Sequence, residues 1–360
     1  MNAFFELIQI AIGKLESLSR VPQSREEWDE LLKITGQHNL LAFTFPVIDR
    51  LHDEVNVPLG VYSRWAMMAE KVAAKGSFQK DACVKLYKGF LDNGFRSCIL
   101  KGQAAGALYP DPSLRQGGDI DIWVEGERRD VVSFLRSRFE VHKVVYHHCD
   151  VKMIKGVSVE VHFTPTWMNA PFSNRRLQRW IAGQAPAQFS NFEPSLGFNV
   201  PTLEFDAVYM LLHIYRHVLE EGIGLRQLLD YYYVLQHLDE DGRKAVMGHI
   251  NFLRLGRFAA AVMYVLQEVF LLEGEKLLCT PHKGEGAFLL EEIMLSGNFG
   301  KFDSRNAHEK GEGLVGHSKR KLTRGLRYLL HYPSEVLGMP VFMCWQYFWR
   351  RKNGFLYKGR

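Results

Sequence analysis

The stretch Gly118-Asp119-Ile120-Asp121-Ile122 decides the fold of this 360-residue chain. The apolar alternation that it begins continues to Val124, which predicts a strand over residues 120–124. Side chains two positions apart on a strand leave the sheet from the same face. Asp119 and Asp121 are therefore predicted to point together, and paired carboxylates are ready ligands for divalent cations.

A second predicted strand carries a third acidic residue. In the stretch Val157–Phe163 the valines fall on one face, whereas Glu160 and His162 fall on the other. Glu160 could therefore meet Asp119 and Asp121 if the two strands lie side by side.

The residues before Asp119 predict a strand, a loop, a helix and a turn in that order. The run Ile99–Tyr109 joins apolar residues to glycines and then to a helical pattern, and Arg115 with Gly117-Gly118 leads into Asp119.

A helix is predicted over 131–138, with a turn at Lys155-Gly156. Further strands are predicted over residues 97–100, 141–146 and 151–154. These patterns indicate an α+β (mixed α/β) fold with a small sheet.

Four regions are predicted along the chain: an N-terminal helical region over 1–95, an α/β core over 96–200, a helical domain over 201–300 and a basic helical segment over 301–360. Breaks are expected near Pro22, Pro46 and Pro58. Ser24 with Glu27 fits a capping box. Thr202 is a second predicted N-cap, and residues 296–318 are predicted to form an exposed connection.

Composition places the chain among ordinary globular proteins. Its residues are 47% hydrophobic and 24% charged, and its five cysteines are scattered and odd in number. Such cysteines fit reduced thiols and a cytoplasmic location. The N-terminus resembles no signal peptide, and residues 336–349 are too short to cross a bilayer and contain Pro340, so no membrane span is expected.

Positive charge is concentrated at the C-terminal end. Residues 301–360 hold 13 Lys/Arg and 4 Asp/Glu, a local charge of +9. Such a segment can attract nucleic acid or an anionic membrane surface, but terminal Lys and Arg usually form a solvated helix face. The solvated face is the preferred interpretation for most of this charge.

Several common enzyme classes lack their motifs here. The sequence contains no P-loop, no dinucleotide-binding glycine motif and no serine-hydrolase elbow. His213 and His217 are four apart on a predicted helix, but no protease-type zinc motif accompanies them. A helix face near the active cleft is the preferred interpretation for this pair. Cys279 and His282 lack partners at metal-ligand spacing.

Several motifs follow one another along the chain: Leu100-Lys101-Gly102, Tyr109-Pro110, Arg115, 118–122, 159–162, 224–230 and 297–300. In their order and spacing they resemble the uncharacterised bacterial nucleotidyltransferase-like proteins of the DNA polymerase beta superfamily. The resemblance covers most of residues 30–300. It implies a minimal nucleotidyltransferase core, with a small mixed sheet flanked by N- and C-terminal helical regions.

The resemblance also implies metal-dependent transfer of a nucleoside monophosphate from a nucleoside triphosphate. In that superfamily a glycine turn holds the triphosphate, Asp-x-Asp binds metals and a third carboxylate completes the site. These roles fall on Lys101 and Gly102, on Asp119 and Asp121, and on Glu160. Mg²⁺ or Mn²⁺ is the implied cofactor, because two ions about 3.5–4 Å apart stabilise the attacking and leaving oxygens. Glu160 either binds metal or helps to deprotonate the acceptor.

The phosphate turn departs from the usual Gly-Gly or Gly-Ser. Lys101 either contacts a phosphate as a point charge or pairs with one of the acids, and Arg115 could contact a phosphate bidentately. Arg226 and Asp230 lie four apart, so they form either an intrahelical ion pair or a contact with nucleotide or acceptor. His162 either orients a ligand or is a surface histidine.

Three functions remain open at this point. The first is nucleotidyl transfer to a small molecule, a protein or RNA. The second, motivated by the altered turn, is a catalytically silent nucleotide-binding or regulatory module. The third is an RNA-directed, toxin-like transferase, for which the basic segment is the added evidence.

Overall fold

The computed structural model describes residues 2–306 and 314–355. This part of the chain is mostly helical and contains one central sheet. Its helices are α1 (Asn2–Ala11), α2 (Arg25–Gln37), α3 (Leu41–Val55), α4 (Leu59–Leu91), α5 (Gly102–Gly106), α6 (Arg128–Arg138), α7 (Pro171–Gln188), α8 (Leu203–Glu220), α9 (Leu225–His237), α10 (Glu240–Leu253), α11 (Gly256–Phe270), α12 (Lys283–Ser296), α13 (Leu314–Arg327) and α14 (Pro333–Lys352). Its strands are β1 (Ser97–Leu100), β2 (Ile120–Val124), β3 (Glu140–Val144), β4 (His148–Ile154), β5 (Val157–His162), β6 (Phe192–Glu193) and β7 (Phe198–Asn199).

The central sheet is small and mixed, as predicted. Its strand order is β1-β2-β5-β4-β3, and β6 and β7 form a separate two-stranded hairpin. β2 and β5 run parallel, whereas the other neighbours in the large sheet are antiparallel. The predicted α+β fold class is therefore confirmed. The parallel pairing brings the strand that follows Asp119 beside the strand that carries Glu160.

Alternation along β2 and β5 divides the two faces of the sheet. Ile120, Ile122 and Val124 pack in one cluster with Val159 and with apolar residues of α4 and α6. The alternate side chains point to the opposite face of the sheet. There the ring of Trp123 contacts Phe205 of α8 and Phe189 at the C-terminus of α7. Each buried Ile or Val contributes about 1.5–3 kcal/mol of transfer free energy, so the register of β2 is strongly fixed.

A second hydrophobic cluster joins the N-terminal helices to the helices that follow the sheet. It contains Phe4 and Trp28 from the N-terminal helices together with Leu228 of α9 and Val262 of α11. The N-terminal helices therefore pack against the later helical region. The division into four regions stays a prediction.

The sequence signals for helix starts and breaks are partly confirmed. Ser24 caps α2 by accepting from the Glu27 N–H at 3.2 Å, and Thr202 caps α8 in the same way. The reciprocal half of the capping box is wrong, because the Glu27 carboxylate accepts from the Gln23 N–H at 2.7 Å. The break near Pro46 is also wrong, since Pro46 lies inside α3, where the helix continues on both sides.

The connection before the last helices is less exposed than predicted. Ser296, Asn298 and Asp303 are buried, and two short 3₁₀ turns lie between residues 298 and 306. Buried polar groups require partners. Asp303 has them, because Arg305 and Arg324 both contact its carboxylate. Residues 307–313 of the predicted connection lie outside the described residues.

The basic C-terminal segment is not simply a solvated face. Arg324 is 1% exposed and donates to the Val218 carbonyl and to Asp303. Arg327 also pairs with Asp303, and Lys321 pairs with Glu220. Part of this charge therefore neutralises acids of the same chain. Within residues 2–306 and 314–355, no helix combines the length and apolarity needed to cross a membrane.

Candidate functional site

The turn between β1 and α5 has an uncommon backbone conformation. Lys101 has φ 51° and ψ −142°, and Gly102 follows with φ 43°. A positive φ in a residue with a side chain costs about 1–3 kcal/mol, so neighbouring contacts must hold it. One such contact is the ion pair between Lys101 Nζ and Asp121 Oδ1 at 3.1 Å. Of the two roles open to Lys101, pairing with an acid is thus present.

The turn that leads to β2 brings Gly117 close to α4. A Cβ at Gly117 would overlap the Gln79 side-chain amide of α4. That amide donates to the Gly118 carbonyl at 2.7 Å. The close approach fixes the entry of the chain into β2 and hence the position of Asp119, which directly precedes the strand.

Three carboxylates converge where β2 and β5 meet. Asp121 pairs in register with Glu160 across the parallel strands. One oxygen from each of Asp119, Asp121 and Glu160 lies within 4.8 Å of the other two. Asp121 is buried, Glu160 is half-buried and Asp119 is exposed at the mouth of the cleft. The predicted meeting of the three acids is therefore present in the structure.

Histidines surround the same acids. His162 is buried, so its interpretation as a surface histidine is wrong, and its Nε2 lies 2.8 Å from Asp121 Oδ1. His148 lies opposite His162 in the antiparallel ladder of β4 and β5. His148 Nδ1 is 3.4 Å from Glu160 Oε2, and its Nε2 is 3.0 Å from Asp150. His148, Glu160 and His162 thus form a second group of possible metal ligands.

The surroundings of the two aspartates shift their pKa values in opposite directions. Although Asp119 as a residue is exposed, its carboxylate lies in the cleft, and this loss of hydration together with the charge of Asp121 raises the pKa of Asp119. Burial also acts on Asp121, but the Lys101 ammonium and the hydrogen bond to His162 together lower its pKa. Burial opposes protonation of His162, yet the bonds to Asp121 and Glu160 raise its pKa to about 9. Asp121 is therefore an ionised carboxylate held between two cations.

The carboxylate of Asp230 is hydrogen-bonded by residues from three of the sequence motifs. Tyr109 donates to its Oδ1 at 2.7 Å, and Arg115 contacts both carboxylate oxygens at 2.8 Å. Arg226 donates to Oδ2 at 3.1 Å, which is the predicted intrahelical pair. Burial opposes ionisation of Asp230, but Arg115 and Arg226 lower its pKa. Arg115 thus directs its bidentate fork at Asp230.

These residues line a cleft of about 330 Å³. The sheet supplies Asp119, Asp121 and Glu160, and the β1–α5 turn supplies Lys101. The opposite wall comes from α8 and α9, with further residues from α13 and α14. Its side chains include Met210, His213, Arg216, His217, Glu220, Arg226, Gln227, Lys321 and Gln346. All predicted site residues therefore lie around one cleft.

His213 and His217 lie on the side of α8 that faces the cleft, which agrees with the preferred interpretation of this pair. Their ring centroids are 4.3 Å apart, and both side chains line the cleft. His282, in contrast, caps α12 by accepting from the Glu285 N–H at 3.2 Å. Its position in the sequence therefore reflects helix capping.

The sequence patterns missed several residues of the cleft. His148 was overlooked because β4 begins at residue 148, three residues before the predicted strand. Its alternation with Asp150 and Lys152 was the available signal. Arg216 and Trp167, which stack on each other, lie on different elements and carry no local pattern.

The fold and the site define a class of α+β protein in which an acidic centre lies beside a basic turn in a polar cleft. The model of a family described as "Uncharacterised nucleotidyltransferase" matches residues 24–271, and the chain belongs to this family. No curated protein matches the chain. Among solved structures, it is similar to an antigenic nucleotidyltransferase-like protein from Paracoccidioides brasiliensis, with 13% identity and a TM-score of 0.29, over 49% of this chain and 92% of that one. At this level the likeness supports no inference about the site.

Proposed function

We propose that this protein transfers a nucleoside monophosphate from a nucleoside triphosphate to an acceptor on a small molecule, a protein or RNA, with Mg²⁺ or Mn²⁺ as cofactor. The convergence of Asp119, Asp121 and Glu160 within 4.8 Å carries this proposal. We further propose that the family is a bacterial branch of the DNA polymerase beta superfamily. The five cysteines are free thiols, which supports a cytoplasmic location.

The three carboxylates fit a hard divalent cation, because Mg²⁺ and Mn²⁺ favour oxygen ligands. Lys101 and His162 both contact Oδ1 of Asp121, so Oδ2 is the oxygen that could face an ion. When bound, the metal would offset negative charge on the attacking and leaving oxygens. The protein's own part is to hold the three acids within reach of one ion.

Lys101 and Arg226 are the proposed contacts to the triphosphate. Both line the cleft, and the buried Nε of Arg226 has no hydrogen-bond partner among the described residues. Arg115 binds Asp230 with two donors, so we assign Arg115 and Asp230 the task of positioning Arg226. Gly102 lets the chain turn closely at the start of α5.

In the proposed reaction an acceptor oxygen attacks the α-phosphorus of the nucleotide. A new P–O bond forms to the acceptor, and the bond between the α-phosphorus and the pyrophosphate oxygen breaks. Pyrophosphate leaves with the bonding electron pair. The acceptor proton passes to a base, and Glu160, whose oxygen lies within 4.8 Å of those of Asp119 and Asp121, could accept it where it does not hold the ion.

Asp119→Asn is the sharpest test of this site. Asp119 is exposed, so its substitution removes a ligand without breaking the buried Lys101–Asp121 pair. We expect transfer of α-labelled nucleotide into a cell extract to fall at least about 100-fold. The matched control, Asp130→Asn in the exposed first turn of α6, should transfer like the unaltered protein.

Retained transfer in Asp119→Asn would reject the proposed centre. The variant's circular dichroism and unfolding midpoint must match those of the unaltered protein, which separates lost chemistry from lost structure.

One observation favours the silent module as a second candidate. Asp121 is already neutralised by Lys101 and His162, as a carboxylate with only a structural role would be. Calorimetry that detects nucleotide binding, with no label transferred to any acceptor in the extract, would support this candidate. Transfer of the label would exclude it.

A further inference from the structure

α13 and the turn after it carry exposed leucines in a helical pattern. Leu326 is 62% exposed, and Leu330 is 86% exposed. They are four residues apart, so they extend one ridge toward the α13–α14 turn. Their neighbours Arg324 and Tyr328 point the other way and are fully buried. The outward side of this segment therefore presents leucines, with the exposed Lys319 and Thr323 beside them.

α14 repeats this arrangement over its whole length. Leu337, Val341, Trp345 and Phe348 recur at helical spacing and are 44–64% exposed. Val336, Met339 and Phe342 on its other side are buried. The outer apolar face is defined here as Leu326, Leu330, Leu337, Val341, Trp345 and Phe348.

The charges around the outer apolar face are almost all positive. Residues 314–355 contain eight Lys/Arg and a single acid, Glu335. Lys321, Arg324 and Arg327 pair with Glu220 or Asp303, and the exposed cations of this segment are Lys319, Arg351 and Lys352. Glu335 is 3% exposed, so it contributes no surface carboxylate. Arg351 and Lys352 are exposed and lie three and four residues after Phe348. Cations thus continue the apolar stripe at the end of α14.

This combination distinguishes between possible occupants. A second copy of the chain would bring the same cations against each other. RNA would satisfy the cations but would leave the leucines in water. A bilayer surface with anionic lipids offers both an apolar layer and negative headgroups, and Trp beside Arg and Lys is typical of such interfaces.

We propose that the outer apolar face binds the surface of membranes that contain anionic lipids, with α13 and α14 lying along the interface. These helices lie beyond residues 24–271, which match the family model. The proposal goes beyond nucleotidyl transfer, because it concerns attachment of the protein and needs no nucleotide.

Vesicle sedimentation of the full chain tests this proposal. Vesicles of phosphatidylcholine with about 30% phosphatidylserine should sediment the protein, and binding should weaken as salt rises. The double variant Leu330→Gln/Leu337→Gln should lower the partition coefficient at least about tenfold. Arg351→Gln/Lys352→Gln should reduce the preference for phosphatidylserine over phosphatidylcholine alone.

The matched control is Leu59→Gln/Phe172→Gln, since these residues are 72% and 84% exposed but lie on α4 and α7. It should bind vesicles like the unaltered protein. An equal loss in this control would overturn the proposal. The proposal would also be overturned if the protein did not bind vesicles and its outer apolar face had another occupant. Light scattering that detects a dimer, which Leu330→Gln/Leu337→Gln disperses, would identify a second copy. Binding of RNA in place of vesicles would identify RNA. None of these outcomes depends on whether nucleotide is transferred.

Discussion

Asp230 links motifs that are more than one hundred residues apart in the sequence. Its carboxylate accepts from Tyr109, Arg115 and Arg226. All four residues belong to the motifs that carry the family resemblance. A buried carboxylate with two guanidinium partners is costly to disturb, because loss of its charge leaves both cations unpaired in the interior. Asp230 therefore holds one wall of the cleft together.

Asp230→Asn should strongly destabilise the fold. Asn keeps a similar shape but carries no charge, so Arg115 and Arg226 lose their counter-ion. We expect the free energy of unfolding to fall by about 3–5 kcal/mol. Urea unfolding at neutral pH, followed by circular dichroism, measures this as a lower midpoint with an unchanged slope.

The control for this prediction is Asp241→Asn, whose carboxylate on α10 is 95% exposed. It should shift the unfolding free energy by less than about 0.5 kcal/mol. If Asp230→Asn were as mild as this control, the central role of Asp230 would be refuted.

Strand period made Asp119, Asp121 and Glu160 predictable, because alternation alone gives the face on which a side chain lies. Their mutual distance required the pairing of β2 with β5, which no local pattern encodes. The choice between roles for Lys101 also required tertiary structure, since its partner Asp121 is twenty residues away. Arg115 is the clearest example, because its bidentate partner lies 115 residues downstream.

At the level of elements, the first turn of α14 carries Glu335, whose carboxylate is buried against the chain before α7. Glu335 accepts from the Asn169 N–H at 2.6 Å and from the Ala170 N–H at 3.3 Å. Burial raises the pKa of Glu335 to about 7, although these two N–H groups act to lower it. Gly338 also fits closely here, since a Cβ would overlap the Ala170 backbone.

The raised pKa of Glu335 predicts a pH dependence of stability. The folded protein binds this proton more tightly than the unfolded chain, whose glutamate has an ordinary pKa of about 4.3. The contribution to stability is thus fully present below about pH 4.3 and is lost as the pH rises through about 7. Relative to Glu335→Gln, the unaltered protein should lose about 3 kcal/mol across this window.

Urea midpoints of both proteins between pH 4.5 and 8 measure this difference. Other titrating groups, including the buried Asp206, are the same in both proteins and cancel. Glu291→Gln, an exposed substitution on α12, serves as the control and should give a pH profile parallel to that of the unaltered protein. Parallel profiles for Glu335→Gln as well would contradict the assignment.

The sequence was a good guide to elements that obey a single period. β1 and β2 have the predicted bounds, and the predicted helix over 131–138 is the later part of α6. Pro46 was misleading because helix packing compensates for one missing hydrogen bond inside α3. Ser296 and Asp303 were misjudged because polar composition does not reveal buried partners such as Arg324.

Across the whole molecule, the site depends on packing between distant parts of the chain. The sheet supplies the acids, α8 and α9 supply the opposite wall, and Lys321 and Gln346 reach the cleft from α13 and α14. Arg324 and Tyr328 fasten α13 to the helical core. A deletion of residues 319–360 would therefore damage the core, so point substitutions such as Arg351→Gln/Lys352→Gln are the better test of the RNA-directed hypothesis.

The central claim is that the cleft transfers the α-phosphoryl group together with its nucleoside. The most direct measurement compares each nucleoside triphosphate labelled at the α-phosphorus with the same nucleotide labelled at the γ-phosphorus. Each is incubated with the full chain, Mg²⁺ or Mn²⁺ and a cell extract. We predict that the α label becomes covalently attached to an acceptor, that the γ label leaves as pyrophosphate, and that Asp119→Asn attaches neither. Attachment of the γ label alone, or undiminished α-label transfer by Asp119→Asn, would contradict the account.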